Sequence, residues 1–145
     1  MAKPLPNHPQ LRGNYAPIQF EAECTDLIVE GSLPEGLEGS LYRVGPNPKF
    51  VPDQGYHWFF GADMVHAFHF GGGRVHYLNR WARTPKFEAE QAAGKPLPMS
   101  FVTDPETGAI ESDRRNGLAN THIIWHGNQL LALEEGSHPF SMAPD

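Results

Sequence analysis

Three consecutive glycines between two aromatic-rich segments constrain the fold of this chain more than any other feature. They occupy positions 71–73, inside a segment (56–83) that is otherwise rich in aromatic and apolar residues. Two such runs joined by a glycine turn are typical of a β-hairpin. A two-residue turn at positions 71 and 72 would place His69 opposite Arg74.

This register predicts a hairpin with two chemically different faces, because successive side chains of a strand point to opposite sides. The apolar and aromatic face holds Met64, His66, Phe68, Phe70, Val75, Tyr77 and Trp81. The more polar face holds His69, Arg74, His76 and Arg80, with Val65, Ala67 and Leu78 among them. A slip by one residue would mix the two sets, so the pattern favours this division.

Composition indicates one β-rich domain. The 145 residues are enough for a single ordinary domain, and glycine (15) and proline (14) make up about a fifth of them. These turn formers alternate with aromatic residues, which favours β-structure over disorder. The net charge of -6 comes without a basic run, so nucleic acid is excluded as an expected partner.

The cellular location is predicted from absences in the sequence. Cys24 is the only cysteine, so no internal disulfide can form, which fits a reducing compartment. No run reaches the roughly 20 apolar residues of a membrane span, and residues 1–9 lack the layout of a signal peptide. The expectation is a soluble cytoplasmic protein, and the sequence gives no indication of its oligomeric state.

The remaining elements follow from local patterns. Residues 1–25 are predicted to form an extended N-terminal arm, and residues 26–145 the β-domain. The predicted elements are strands at 26–30 and 40–44, a segment at 45–48 that leaves the sheet, one short surface helix at 87–93 ended by Gly94, a long loop at 96–115, and a hairpin at 120–134 with its turn at 127–128. The fold class is therefore mainly β, with sandwich, barrel and propeller all left open.

Eight histidines give the main chemical indication. They stand at positions 8, 57, 66, 69, 76, 122, 126 and 138. Neutral imidazole is a good ligand for iron, zinc or copper, and His122 and His126 would share a strand face. Histidines beside aromatic residues in strands are more often half-buried packing residues with one satisfied nitrogen, and that interpretation is favoured here. Four aromatic residues could line an apolar cavity, but a plain core is the favoured role for each of them: Phe59, Phe60, Trp58 and Trp81.

Several motifs in order resemble the carotenoid oxygenase family. The run at 31–48, which reads GSLPEGLEGSLYRVGPNP, is similar to the N-terminal signature of that family. The segment at 57–67 resembles the family pattern HWFDGDGMVHA, and the run NRWART at 79–84 resembles a family strand. Residues 119–121 and 131–136 resemble its next hairpin. The resemblance covers about residues 26–142.

The resemblance implies a fold and an activity. Family members are seven-bladed β-propellers in which Fe(II), held by four histidines with carboxylates behind them, supports cleavage of a conjugated double bond by O2 to give two carbonyl products. The substrates are carotenoids, apocarotenoids or stilbene-like phenols, and contact with a membrane surface is compatible with such lipid-soluble molecules. None of the eight histidines matches a family ligand, so the resemblance assigns no catalytic residue and no metal ligand to this chain.

Individual positions refine the resemblance. Phe59, Phe60, Phe101 and Glu134 are candidates for the wall of the substrate cavity. Glu134 stands where stilbene-cleaving relatives often carry lysine, which favours an apolar polyene as substrate. Asp63 stands where the family has glycine, and a positive φ there would strain the backbone.

The resemblance also predicts an incomplete propeller. An open ring exposes strand edges, so we expect the isolated chain to fold poorly or associate, and not to hold iron. A monomer that melts cooperatively with stoichiometric iron would contradict this. The alternative is a non-catalytic β-rich binding module or an inactive truncated remnant.

Overall fold

The computed structural model describes residues 4–52, 56–97, 102–103, 110–111 and 117–144, the two short pieces by their backbone alone. The strands are β1 (Ala22–Cys24), β2 (Gly39–Pro46), β3 (Asp63–Gly71), β4 (Arg74–Trp81), β5 (Val102–Thr103), β6 (Ile110–Glu111), β7 (His122–His126), β8 (Gln129–Leu133) and β9 (Phe140–Met142). They form sheets with the orders β1-β4-β3-β2, β5-β6 and β7-β8-β9, and all pairs are antiparallel. Within these described residues, one α-helix, α1 (Pro85–Ala93), and three 3-10 turns complete the mainly β architecture that the sequence predicts.

The glycine hairpin forms, but its turn lies one residue later than predicted. Gly72 and Gly73 carry positive φ values of 57° and 72°, while Gly71 pairs with Arg74 as the last residue of β3. Two consecutive left-handed residues match the twist of the flanking strands. The predicted opposition of His69 and Arg74 is therefore wrong. The shift of the turn moves each cross-strand partner by two residues. Side chains alternate with a period of two, so the predicted division into two faces is confirmed.

The predicted strand at 26–30 is wrong, since β1 lies at Ala22–Cys24 within the predicted arm. Beyond it, Leu27 donates its backbone N–H to the carbonyl of Val75 (2.9 Å), which is the single ladder-like bond of that segment beside β4 among the described residues. Ile28 is 96% exposed, so its apolar side chain does not pack against the rest of the protein. The boundary between arm and domain stays a prediction.

Strand β2 continues through two residues that were predicted to leave the sheet. Gly45 pairs with Met64 and Pro46 with Asp63. Proline cannot donate to a ladder, but β2 is at the edge of its sheet, where that loss is tolerated.

Helix α1 confirms the predicted helix and begins two residues earlier. The Thr84 hydroxyl accepts from the N–H of Phe87 (3.3 Å), Pro85 occupies the first turn, and Gly94 ends the helix at φ 64°. One side of the helix is buried, with Phe87 1% exposed. Phe87 packs with Ala62, Met64 and Trp81 in the core beneath the four-stranded sheet.

The second predicted hairpin is confirmed as β7 and β8, with Gly127 and Asn128 in the turn at φ 57° and 59°. Strand β9 adds a third member to this sheet. The predicted loop at 96–115 is wrong where Val102 pairs with Glu111 and Thr103 with Ile110. Its residues 98–101, 104–109 and 112–116 lie outside the described part of the chain.

The described helices include none that is long and apolar enough to cross a bilayer.

Candidate functional site

A cavity of about 870 Å³ lies on one face of the four-stranded sheet. Its walls come from the N-terminal arm, the end of β2, the turn Trp58–Phe60, side chains of β3 and β4, and the residues that precede β7. The lining is mainly apolar, and its aromatic side chains include Tyr15, Trp58, Phe59, Phe68 and Tyr77. Concave sites of this size and character are typical of small-molecule binding.

The turn Trp58–Phe60 is fixed from two sides. His57 caps it by accepting from the N–H of Phe59 (3.2 Å). The N–H of Trp58 donates to the Gln10 side chain (2.9 Å), while Asn120 donates to the carbonyls of Phe59 (3.1 Å) and Gly61 (3.0 Å). The aromatic wall therefore depends on hydrogen bonds from both the arm and the segment before β7.

Gly61 is required by close packing at the end of this turn. A Cβ at this position would lie 2.6 Å from the Tyr56 hydroxyl and 2.9 Å from the Pro46 Cβ. Burial also raises the pKa of Tyr56 to about 12, so its phenol stays neutral at physiological pH.

We call the contact between residues 18–22 and the sheet the arm seam, and two buried asparagines hold it. Asn47 accepts from the N–H of Ile18 and donates to its carbonyl, both at 2.7 Å. Asn79 accepts from the N–H of Ala22 (2.7 Å) and donates to the carbonyl of Phe20 (3.1 Å). An amide carries both a donor and an acceptor, so each asparagine replaces a missing strand partner for the arm backbone.

A polar corner of the cavity is formed by Arg43, His66 and Tyr77. Nδ1 of His66 lies 2.8 Å from the Tyr77 hydroxyl, and Arg43 pairs with His66 across β2 and β3. Burial, with a smaller contribution from the charge of Arg43, lowers the pKa of His66. Burial raises the pKa of Tyr77. Both rings are thus neutral at pH 7.

Asp63, which is not part of the cavity lining, is the most unusual titratable group. It is fully buried, and neither carboxyl oxygen has a hydrogen-bond partner among the described residues. Burial raises its pKa to about 7; the Ala119 N–H and Lys86 oppose this rise, and Glu134 and Glu90 add to it. The Ala119 N–H approaches without completing a hydrogen bond. The strain expected at Asp63 depended on a positive φ, and Asp63 does not have one, because Asn128 is the only non-glycine with positive φ in the described part.

The predicted cavity-wall residues lie in different places. Phe59 lines the cavity and is 67% exposed, whereas Phe60 is half-buried in the same turn and is not part of the lining. Glu134 caps its own turn by accepting from the N–H of Gly136 (2.9 Å) and the hydroxyl of Ser137 (2.7 Å). Phe101 lies outside the described residues. Of the three described candidates, the structure brings Phe59 to the cavity and neither Phe60 nor Glu134, and the four assignments stay predictions.

Five of the described histidines take part in local contacts. Nδ1 accepts a backbone N–H in His8 and His57, while His66, His69 and His76 contact Tyr77, Ser40 and Glu23. Within residues 4–52, 56–97 and 117–144 no three His, Cys, Asp or Glu side chains are arranged to hold a metal. The described residues do not fit an iron site, so no ligand is assigned to them.

Sequence reasoning missed the contribution of the arm and of Asn120. Four residues that the sequence analysis did not single out line the cavity: Gln10, Asn14, Tyr15 and Asn120. None of them lies in a β-strand or α-helix, so no hydrophobic periodicity marks them in the sequence. His66 and Tyr77 were placed on one face by the alternation of the hairpin, but their hydrogen bond depends on the observed register. The arm residues gave no comparable signal.

Comparison with known proteins agrees with the resemblance. The chain is 38% identical to isoeugenol monooxygenase of Pseudomonas putida over 95% of its length, and 34% identical to carotenoid 9,10(9',10')-cleavage dioxygenase 1 of Pisum sativum over 95%. The crystal structure of Pseudomonas brassicacearum lignostilbene dioxygenase superposes with a TM-score of 0.83 at 34% identity over 97% of this chain. The chain spans 29%, 28% and 30% of these three proteins.

A family profile gives the decisive match. The profile described as retinal pigment epithelial membrane protein matches residues 15–145, which is nearly the whole chain. Together with relatives that are more than 30% identical over 95% of the chain, this match establishes membership. The chain belongs to the retinal pigment epithelial membrane protein family, the carotenoid oxygenases.

Proposed function

We propose that this chain is part of a dioxygenase that cleaves a conjugated carbon–carbon double bond with O2 and gives two carbonyl products. The observation that carries the proposal is the superposition on lignostilbene dioxygenase at a TM-score of 0.83 over 97% of the chain. The relative named carotenoid 9,10(9',10')-cleavage dioxygenase 1 supports the same reaction class. The sheets would then be blades of a seven-bladed propeller.

The role of these residues in the proposal is to bind substrate. The aromatic lining around Phe59 and Trp58 offers an apolar surface for a flat, conjugated molecule, and the hydrogen bonds of Asn120 and Gln10 fix that surface. Fe(II) would be held by residues outside this chain, because the described histidines form no ligand set. We place the enzyme in the cytoplasm, with contact to a membrane surface during substrate uptake.

The substrate class is proposed from Glu134. A lysine at this position would offer a cation to a phenolic substrate, whereas Glu134 uses its carboxylate to cap the following turn. An apolar polyene is therefore favoured over a hydroxystilbene.

The test uses the protein encoded by the complete reading frame that contains these residues. It is purified, loaded with Fe(II) and incubated under O2 with an apocarotenoid, a hydroxystilbene and isoeugenol in separate reactions. We expect aldehyde products from the apocarotenoid, with one atom of oxygen from O2 in each carbonyl product. Aldehydes from the stilbene alone would reject the polyene assignment but keep the reaction class.

The competing candidate is a non-catalytic binding module. This candidate predicts a reading frame that encodes no further histidines. It also predicts a stable protein that binds the substrates and gives no aldehyde. These results together would reject the enzyme.

A further inference from the structure

The N-terminal arm crosses the cavity between two fixed points, and the stretch between them is exposed. At the outer end, Leu11 is 2% exposed, and the Gln10 side chain accepts from the N–H of Trp58 (2.9 Å). At the inner end, Ile18 is held by the arm seam. Residues 12–16 lie between these points and are all exposed, and we call them the strap. Three strap residues line the cavity: Asn14, Tyr15 and Ala16.

Local hydrogen bonds order the strap. Within the described chain, its backbone bonds begin with the N–H of Tyr15, which donates to the carbonyl of Arg12 (3.1 Å). The N–H of Ala16 donates to the carbonyl of Gly13, also at 3.1 Å. Tyr15 contacts the facing wall, because its ring meets that of Trp58 edge-on with centroids 5.1 Å apart. Segments with few bonds to the rest of a fold open locally at low free-energy cost, so the strap can open without unfolding of the sheet.

The two ends of the strap are held with different strength. At the seam, Asn47 and Asn79 each make two hydrogen bonds to the arm backbone. Ile18 also packs against the buried core there. At the outer end, the hydrogen bond from Trp58 to the Gln10 side chain links the arm to the cavity wall. Opening should therefore begin at Gln10, with the seam as the fixed end.

We propose that the strap opens and closes over the cavity, and that this motion sets the rate at which ligands enter and leave. The hydrogen bond between Gln10 and Trp58 is its latch, and the arm seam is its hinge. The inference rests on the proposed function for the use of the cavity as a ligand site. It concerns the motion of the arm and not the reaction, so either can fail while the other holds.

The first test measures opening by trypsin cleavage of the metal-free protein from the complete reading frame. Arg12 lies in the strap, and it is the one site at which trypsin cuts within residues 1–25, because Lys3 is followed by Pro4. We expect slow cleavage after Arg12 in the native wild type. Cleavage should be about fivefold faster in Gln10→Ala, because loss of the latch bond raises the population of the open form by about that factor.

Three further variants separate the latch from other effects. Gln10→Glu keeps an acceptor for the Trp58 N–H and should be cleaved at the wild-type rate. Gln19→Ala removes a bond to the Pro48 carbonyl (3.4 Å) on the seam side, and its cleavage rate should stay within about twofold of the wild type. Tyr15→Ala removes the ring contact with Trp58 and should also speed cleavage, which keeps the test available if Gln10→Ala does not fold.

The second test follows ligand exchange by stopped-flow fluorescence, with all-trans-retinol as a conjugated polyene probe. In Gln10→Ala the association and dissociation rate constants should both rise about fivefold while Kd stays within about twofold, because the latch is lost in the free and bound states alike. A residue that only forms part of the wall would change dissociation and Kd.

Three results would overturn the strap proposal. They are resistance of Arg12 to trypsin in the wild type and in Gln10→Ala, an equal acceleration in Gln19→Ala, and an increase in retinol dissociation without an increase in association. Absence of retinol binding would count against the polyene assignment of the proposed function, and cleavage after Arg12 would then decide the strap.

Discussion

The arm seam and the site of Asp63 bury polar groups in opposite ways. In the arm seam, Asn79 is 1% exposed and exchanges hydrogen bonds with the backbone of Phe20 and Ala22. Asp63 on β3 is 0% exposed, and its carboxyl oxygens have no hydrogen-bond partner among the described residues. The two side chains have nearly the same shape, so their surroundings make the difference.

This comparison shows how a buried polar group can be accommodated. A neutral amide supplies a donor and an acceptor, and an irregular backbone segment needs both. A carboxylate only accepts, and without donors its burial favours the protonated form. Asp63 therefore takes up a proton near neutral pH, whereas the asparagines hold the arm at any pH.

Asp63→Asn should produce the largest effect, because it removes the buried titratable carboxyl and keeps nearly the same shape. In the wild type the folded-state pKa of about 7 exceeds the ordinary value of 3.8, so the folded state holds a proton that the unfolded state loses. The contribution of this carboxyl to the free energy of unfolding is fully present below about pH 4. It falls by on the order of 4 kcal/mol as the pH rises to about 7. We expect urea unfolding of Asp63→Asn to lose this pH dependence and to show a variant more stable than the wild type at pH 8.

The matched control is Asp26→Asn, which changes an exposed carboxyl. It should leave the pH dependence of unfolding as it is in the wild type. If Asp63→Asn keeps the wild-type slope between about pH 4 and pH 7, the carboxyl does not titrate in this way, and the contrast with the arm seam fails.

Asn79→Asp makes the reverse conversion and should have the next largest effect. It removes the donor to the Phe20 carbonyl and introduces a carboxylate at a site that is 1% exposed. The loss should be about 2–3 kcal/mol at pH 7, because the hydrogen bond to the Phe20 carbonyl is lost and a charge is placed at a buried position. It should become smaller as the pH falls, since protonation restores a donor and removes the charge.

The control for this variant is Asn7→Asp, whose side chain is exposed and accepts from Arg12 (2.8 Å). Its unfolding free energy should stay within about 0.5 kcal/mol of the wild type. Proteolysis within residues 18–22 should accelerate in Asn79→Asp and not in the control. An equal loss in both variants would mean that the seam does not depend on the buried amide.

The same contrast explains how far the sequence predicts this fold. Local signals located the two glycine hairpins and α1, because turn chemistry and helix caps act within a few residues. The true turn at Gly72 and Gly73 was missed because three adjacent glycines permit two positions of the turn. Both positions put the same side chains on each face of the hairpin, so the face pattern does not distinguish them. Strand β1 was missed because Ala22–Cys24 is ordered by Asn79, 57 positions after Ala22, and not by a pattern of its own.

The candidate site was less predictable than the fold. Phe59 was considered as a cavity residue from its aromatic character and again through the resemblance. The common face of His66 and Tyr77 followed from strand alternation. Asn120 contacts the carbonyls of Phe59 and Gly61 from about 60 positions away, a long-range contact that single-sequence patterns do not encode. The raised pKa of Asp63 likewise follows from tertiary burial.

Arg83→Gln should have the smallest effect and tests whether surface charge contributes to the arm seam. Arg83 pairs with Glu21 (2.8 Å), but the two side chains are 48% and 25% exposed, and Glu21 also accepts from the N–H of Trp81 (2.9 Å). We expect the free energy of unfolding to fall by less than about 1 kcal/mol, and we expect this loss to disappear at high salt.

Arg80→Gln is the informative comparison, because Arg80 also donates to the carbonyls of Ala22 and Asn79, both at 2.9 Å. It should lose more stability than Arg83→Gln in urea unfolding at every salt concentration. The opposite order would mean that ion pairs, and not hydrogen bonds to the backbone, hold the arm.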